Sequence, residues 1–213
     1  MTHYPVFLNL DRRRVVVFGG GTIAERKVES LLSCGARVCV IALDASNRLA
    51  TLAGVGAIEL RRRAYEPGDC RGAFVVIAAT DDPEAQQRIW EEAQSCGVLI
   101  NTVDVPARCN FILPAVVQQG DLTLAISTQG KSPAFAAWLR RVLVRWVGPE
   151  YRVLLEMLER IRPEVRRRAP EFERRKRFYE SVLDPIQPEC LREEDVPAVE
   201  HRLRQALHDL EQT

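Results

Sequence analysis

Gly19-Gly20-Gly21-Thr22-Ile23-Ala24 is the run of this 213-residue chain best suited to chemistry. It fits G-x-G-x-x-A. It directly follows the apolar, mostly β-branched segment Arg14-Val15-Val16-Val17-Phe18 and opens a stretch with helical spacing. In that context Gly19 permits a tight turn, Gly21 lets the backbone approach a pyrophosphate, and the small Ala24 lets helix and strand pack closely. The free N–H groups and the dipole at the helix start would face the phosphates. The reading is a dinucleotide site; the alternative is a glycine turn that only joins a strand to a helix.

Such a unit needs an acid near the end of its second strand to bind the adenosine ribose. Asp44 is the candidate, 25 residues after Gly19, where about 20 is usual. It could equally cap the helix that follows. Arg48 lies nearby and could meet a 2′-phosphate; NAD is favoured over NADP. Asp104 falls just past the fifth strand, on the carboxyl edge where ligands of open α/β sheets bind. A partly desolvated carboxylate there can act as a general base, or it can be a turn residue before Pro106. His3, His201 and His208 all lie toward the termini, which leaves no Ser-His-Asp or Cys-His pairing and no His-rich metal site. Gly130-Lys131-Ser132 looks like the end of a phosphate-binding loop, but the glycine required five residues earlier is Ala125.

These residues need a frame to hold them. Helical spacing over 22–34 ends at Gly35, and a second apolar run covers 37–43. A short helix is expected over 44–53 and a third strand over 57–60. The apolar run 73–79 reads as a fourth strand. Asp82-Pro83 then opens a helix over 84–96, since an acidic cap followed by proline suits a first turn. A fifth strand is expected over 98–101. Strands alternating with helices imply a parallel sheet with right-handed crossovers. Beyond Pro106 the pattern changes to strands at 115–118 and 122–127 and a helix over 134–147 opened by Ser132-Pro133. From Tyr151 only helix is read. The expected architecture is α/β: a Rossmann-like parallel sheet over 1–113, a small α+β segment over 114–147 and a helical C-terminal domain over 148–213.

Composition excludes several classes. Apolar residues make up 46% and charged residues 28%, close to ordinary globular usage. The longest clean apolar run, 73–79, is far shorter than the roughly 20 residues a bilayer requires. Asp11-Arg12-Arg13-Arg14 intervenes before a signal-peptide core could form, so a cytoplasmic protein without membrane partner is expected. Cys34, Cys39, Cys70, Cys96, Cys109 and Cys190 are scattered with no C-x-x-C pair, which reads as reduced thiols serving as small hydrophobes. The net charge of +1 hides segregation: 160–177 holds nine basic residues against three acids, and 178–213 holds Arg192, Arg202 and Arg204 against nine. The basic run has three readings: a solvated helical face, a surface for a polycarboxylate matched by guanidinium forks, or a nucleic-acid contact. The thin aromatic interleaving and the acidic neighbour disfavour nucleic acid.

Several segments in fixed order resemble one family. They are Tyr4-Pro5-Val6-Phe7-Leu8-Asn9-Leu10; Val15 to Gly21 with Ala24-Glu25-Arg26-Lys27; Ala78-Ala79-Thr80-Asp81-Asp82; Asn101-Thr102-Val103-Asp104-Val105-Pro106; Phe111-Ile112-Leu113-Pro114; and Ser127-Thr128-Gln129-Gly130-Lys131-Ser132-Pro133. Together they resemble the N-terminal module of siroheme synthase, the precorrin-2 dehydrogenase / sirohydrochlorin ferrochelatase family, densely over 4–145. Further on, Glu173-Arg174-Arg175 to Phe178 still resembles it. The resemblance implies NAD-dependent oxidation of precorrin-2 to sirohydrochlorin, with Fe²⁺ inserted in many members to give siroheme. It implies a homodimer built partly through 114–147, and a form without the methyltransferase module. By the same resemblance Asp104 matches the catalytic aspartate, and Thr22-Ile23 and Leu43-Asp44 match pairs that contact the cofactor. Ala79, Thr80 and Asp81 match the loop on the nicotinamide side. The substrate's eight carboxylates give the arginine-rich run a role as an anion contact. Thr128 stands where some relatives carry a modifiable serine. A dehydrogenase lacking the chelatase step, and an NAD-binding redox regulator without catalysis, are the alternatives.

Overall fold

A computed structural model describes residues 3–184, 186 and 195–212. Cys190 and Arg192 lie outside the described residues. The chain divides into two compact units, Met1–Ile112 and Leu113–Thr213.

The first unit is built on five strands: β1 (Arg14–Phe18), β2 (Arg37–Ile41), β3 (Glu59–Arg61), β4 (Val75–Ala78) and β5 (Leu99–Thr102). They form one parallel sheet in the order β3-β2-β1-β4-β5. The run of β-branched residues in β1 suits a strand covered on both faces, and Val15, Val16 and Val17 are fully buried. Alternation along the strands sorts the core into two layers. Val15, Val17, Val38, Val40, Val75 and Ile77 pack with Ala24 and Val28 of α1 (Thr22–Ser33) and Leu49 of α2 (Asn47–Gly54). Val16, Phe18, Cys39, Ile41, Val76 and Ala78 pack with Ile89 and Ala93 of α3 (Pro83–Ser95). Each large side chain fully buried in this way contributes about 1.5–3 kcal/mol relative to exposure. Cys39 and Cys70 lie in the second layer as small hydrophobes, and the five described cysteines are free.

One boundary differs from expectation for a clear reason. The helix expected from 44 begins at Asn47, because Ser46 supplies the cap: its hydroxyl oxygen accepts from the Leu49 N–H at 3.2 Å. Residues 42–46 are therefore a loop, and Asp44 does not cap a helix. The other predicted ends move by one or two residues, and Asp82 caps α3, accepting from the N–H groups of Glu84 and Ala85. The 3-10 turn Pro106–Arg108 was not foreseen.

The second unit opens with an antiparallel hairpin, β6 (Ala115–Gln119) and β7 (Leu122–Ile126). Helices α4 (Pro133–Trp146), α5 (Glu150–Arg168), α6 (Phe172–Leu183) and α7 (Val196–Gln212) follow. Ser132 caps α4 by accepting from the Phe135 N–H. Val165, Phe178, Val182, Val199 and Leu203 form the core shared by α5, α6 and α7. No helix of the described residues is long and apolar enough to cross a membrane.

Candidate functional site

The chain runs β1 to β2 to β3 on one side of the sheet and then returns to β4 on the other, so β1 and β4 flank the topological switch point. Ligands of such sheets bind outside the carboxyl ends of the strands at this point. Strand register brings those ends level: Phe18 lies beside Ile41 and Ala78, and Ala78 beside Thr102. Every predicted site residue follows one of these four ends.

The glycine turn is shaped by its neighbours. The Gly19 N–H donates to the Ile41 carbonyl at 2.9 Å, and Gly19 has φ +112°, a conformation that favours glycine. A Cβ on Gly19 would stand 2.2 Å from the Ala79 carbonyl oxygen. One on Gly20 would stand 1.9 Å from the Asp44 carbonyl oxygen, and the Ser46 N–H donates to the Gly20 carbonyl at 2.9 Å. A Cβ on Gly21 would meet nothing within 4 Å. Gly21 is the N-cap of α1, and no side chain caps the helix there. The result is an open backbone cradle at a helix N-terminus, which suits a diphosphate. The role of Gly20 was not read from the sequence; its signal was a third glycine in a motif that requires only two.

The remaining candidates border this cradle. Thr22 and Ile23 open α1 and are exposed, Ile23 to 45% and Leu43, beyond β2, to 71%. Asp44 is exposed beside them. Arg48 is engaged elsewhere, its guanidinium donating to Glu29 at 2.9 Å. Across the switch point the Ala79 N–H donates to Phe18 at 2.7 Å, and the Thr80 carbonyl accepts from the Gln86 side chain at 2.7 Å. Asp81 is exposed at the entrance to α3.

Asp104 lies in the turn after β5, exposed, with φ +60°. Aspartate tolerates the left-handed region better than most residues, at some cost. The Val103 N–H donates to the Ala78 carbonyl at 2.9 Å and so ties this turn to the end of β4. The strands that lead to Asp44 and Asp104, β2 and β5, are three strand spacings or about 14 Å apart. Lys27 of α1 faces Asp104 electrostatically: burial lowers the Lys27 ammonium from its ordinary value, and the Asp104 carboxylate partly opposes this. Lys27 escaped the sequence reading although a signal was present. It occupies an i+3 position of the buried stripe Ala24, Val28, Leu31, where a charge calls for a partner.

Much of the basic run holds the helical unit together. Arg168 donates to the Leu207 carbonyl at 2.7 Å and Arg174 to that of Leu210 at 3.1 Å, both in the last turns of α7. Arg175 donates to the carbonyls of Ala169 and Pro170, and Arg167 pairs with Glu164. Cations near a helix C-terminus complement its dipole. Arg160, Arg162, Arg166 and Arg177 are exposed.

Three family models match in succession. An NAD(P)-binding family covers residues 6–115, just over half of the chain, followed by the central region of sirohaem biosynthesis proteins over 119–145 and the sirohaem synthase dimerisation region over 150–207. The chain belongs to the siroheme synthase N-terminal module family. The chain is 37% identical over 210 residues to a siroheme synthase of Pseudomonas putida strain F1, covering 98% of this chain and 45% of that protein. It is 34% identical over 183 residues to the siroheme synthase of Actinobacillus pleuropneumoniae serotype 3, covering 86% of this chain and 38% of that protein. The chain thus spans less than half the length of these relatives. A solved structure, "SirC, precorrin-2 dehydrogenase", superposes with TM-score 0.78 at 24% identity, covering 99% of this chain and all of that one. That likeness establishes the shared fold. The matched NAD(P)-binding span includes the cradle of Gly19, Gly20 and Gly21.

Proposed function

We propose that the chain oxidises precorrin-2 to sirohydrochlorin with NAD, and that the same edge then serves Fe²⁺ insertion. The observation that carries the reading is Asp104: a carboxylate held at φ +60° on the carboxyl edge, next to the strand whose end borders the glycine turn, with the Lys27 charge beside it.

The cradle fits a dinucleotide: Gly19 and Gly20 have no room for a side chain, and Gly21 leaves the helix N-terminus open. Gly19, Gly21, Thr22 and Ile23 would hold the diphosphate, Leu43 and Asp44 the adenosine half, and Ala79, Thr80 and Asp81 the nicotinamide half. When bound, NAD supplies a two-electron acceptor for hydride. Asp104 takes the proton that leaves the macrocycle as the hydride departs, so two electrons and two hydrogens are accounted for. Lys27 adds a positive charge on the same edge. NAD is preferred to NADP because an exposed Asp44 suits a ribose hydroxyl and repels a 2′-phosphate, while Glu29 already engages Arg48.

For chelation, Asp104 receives pyrrole N–H protons as Fe²⁺ enters; an oxygen donor handles this ion without the tight retention of thiolates. The family's dimerisation region and the exposed Phe135, Trp138 and Trp146 of α4 support a homodimer. Free cysteines suit a reducing cytoplasm. The test is anaerobic incubation with precorrin-2 and NAD. Appearance of the sirohydrochlorin spectrum supports the reading, and an unchanged substrate spectrum removes it. Adding Fe²⁺ to sirohydrochlorin without NAD tests the second step. No rate above the spontaneous background would leave a dehydrogenase alone.

A further inference from the structure

We propose that Cys109 and Asn110 are positioning residues: they fasten the far end of the Asp104 turn to β5 and so hold the carboxylate in its left-handed conformation. The inference rests on the assignment of Asp104 above and adds two residues to it.

β5 is an edge strand, so one side of its backbone lacks a neighbouring strand. Residues 109–111 turn back along that side and replace the missing strand largely with side chains. Asn110 acts at the middle of β5: its side-chain oxygen accepts from the Ile100 N–H at 2.8 Å and its own N–H donates to the Ile100 carbonyl at 3.0 Å. Its side-chain amide nitrogen donates to the Val98 carbonyl at 3.2 Å, just ahead of β5. Cys109 acts at the end of β5. Its sulfur accepts from the Thr102 N–H at 3.2 Å and reaches the carbonyls of Thr102 and Val105, at 3.2 and 3.3 Å, as a donor. Cys109 also pairs with Asn101 as an isolated antiparallel bridge. Asn101 in turn donates to the Cys109 sulfur at 3.6 Å and to the Phe111 carbonyl at 3.1 Å.

The consequence is a short closed loop. Thr102 and Cys109 are joined through sulfur, and the intervening residues close on themselves: the Val105 N–H donates to Thr102, the Arg108 N–H to Val105 and the Cys109 N–H to Pro106. Asp104 lies inside this closure. With both ends fixed, its backbone cannot relax to an extended conformation without breaking several bonds at once. Burial raises the Cys109 thiol, so it keeps its proton at neutral pH and can donate. Thr102 contributes backbone only, its buried hydroxyl having no partner. Holding a reacting group within a fraction of an ångström is what such a closure achieves.

The experiment compares Cys109→Ala, Cys109→Ser and wild type in two measurements. In the precorrin-2 assay, Cys109→Ala is expected to lower kcat about 10- to 100-fold, leaving NAD affinity and the melting temperature near wild type. Cys109→Ser, which restores a donor and an acceptor, should recover part of the rate. In hydrogen exchange, independent of activity, the Thr102 and Val105 amides should exchange faster in Cys109→Ala while the amides of β1 stay unchanged. Wild-type kcat in Cys109→Ala, or a parallel loss of rate and NAD affinity, overturns the proposal, as does unchanged exchange at Thr102. If wild type itself fails to oxidise precorrin-2, the functional reading fails while the exchange measurement still decides whether the clamp exists.

Discussion

The Cβ that Gly20 lacks would stand 1.9 Å from the backbone oxygen of Asp44. The contact joins the glycine turn after β1 to the loop after β2, and a backbone oxygen cannot swing aside. Gly21, one residue on, faces open space at φ −82°.

The two glycines should therefore respond differently to the same substitution. Gly20→Ala is expected to destabilise the first unit by at least about 3 kcal/mol, the upper end for overpacking. Gly21→Ala should melt close to wild type yet lose NAD affinity, because its methyl group occupies the approach to the cradle. Calorimetric melting and NAD titration on both variants check the contrast.

Asp104 carries a conformational cost that glycine would not. Asp104→Gly should match wild type in stability or exceed it by up to about 1 kcal/mol, while losing oxidation of precorrin-2. Denaturant unfolding alongside the spectral assay measures both. A large loss of stability would mean that the carboxylate is a structural turn residue.

The sheet was legible from the sequence because its strands are buried on both faces and so appear as unbroken apolar runs: Val15 to Phe18 and Val75 to Ala78 leave little choice. The cradle was legible because glycine pattern and strand–helix context agree. Asp44 was ambiguous for a local reason. It precedes a helix and could have been its cap until Ser46 took that place. Cys109 and Asn110 were not legible, because their partners lie along an unpaired strand edge that no periodicity marks. The basic run was misleading in the opposite sense: Arg168 and Arg174 look like surface charge but bind carbonyls at the end of α7.

Lys27→Met removes a positive charge facing Asp104. The expected effect is a lower kcat, with NAD affinity preserved. Lys27→Arg should retain most of the rate. Turnover of precorrin-2 by the three proteins makes the comparison, and equal kcat for Lys27→Met and wild type would remove Lys27 from the site.

Asp69 supplies a test of the frame itself. It is 6% exposed, and Arg63 grips it with two bonds of 2.8 and 2.6 Å. Burial alone would raise its carboxyl, but Arg63 and the Glu66 N–H outweigh that and hold it below the usual aspartate value. Between the folded value and the unfolded one, the unfolded chain binds more protons, so stability rises with pH there. The contribution is complete above the unfolded value and is lost as pH falls through the folded one. Asp69→Asn should cost about 3 kcal/mol at neutral pH and flatten the acid limb of the stability profile, read from melting temperatures across the acid range.

The most direct test of the account is anaerobic turnover of precorrin-2 by Asp104→Ala beside wild type, with NAD affinity measured on the same preparations. The prediction is a kcat lower by about 10²-fold or more, with NAD affinity within about twofold. Full turnover by Asp104→Ala would contradict it.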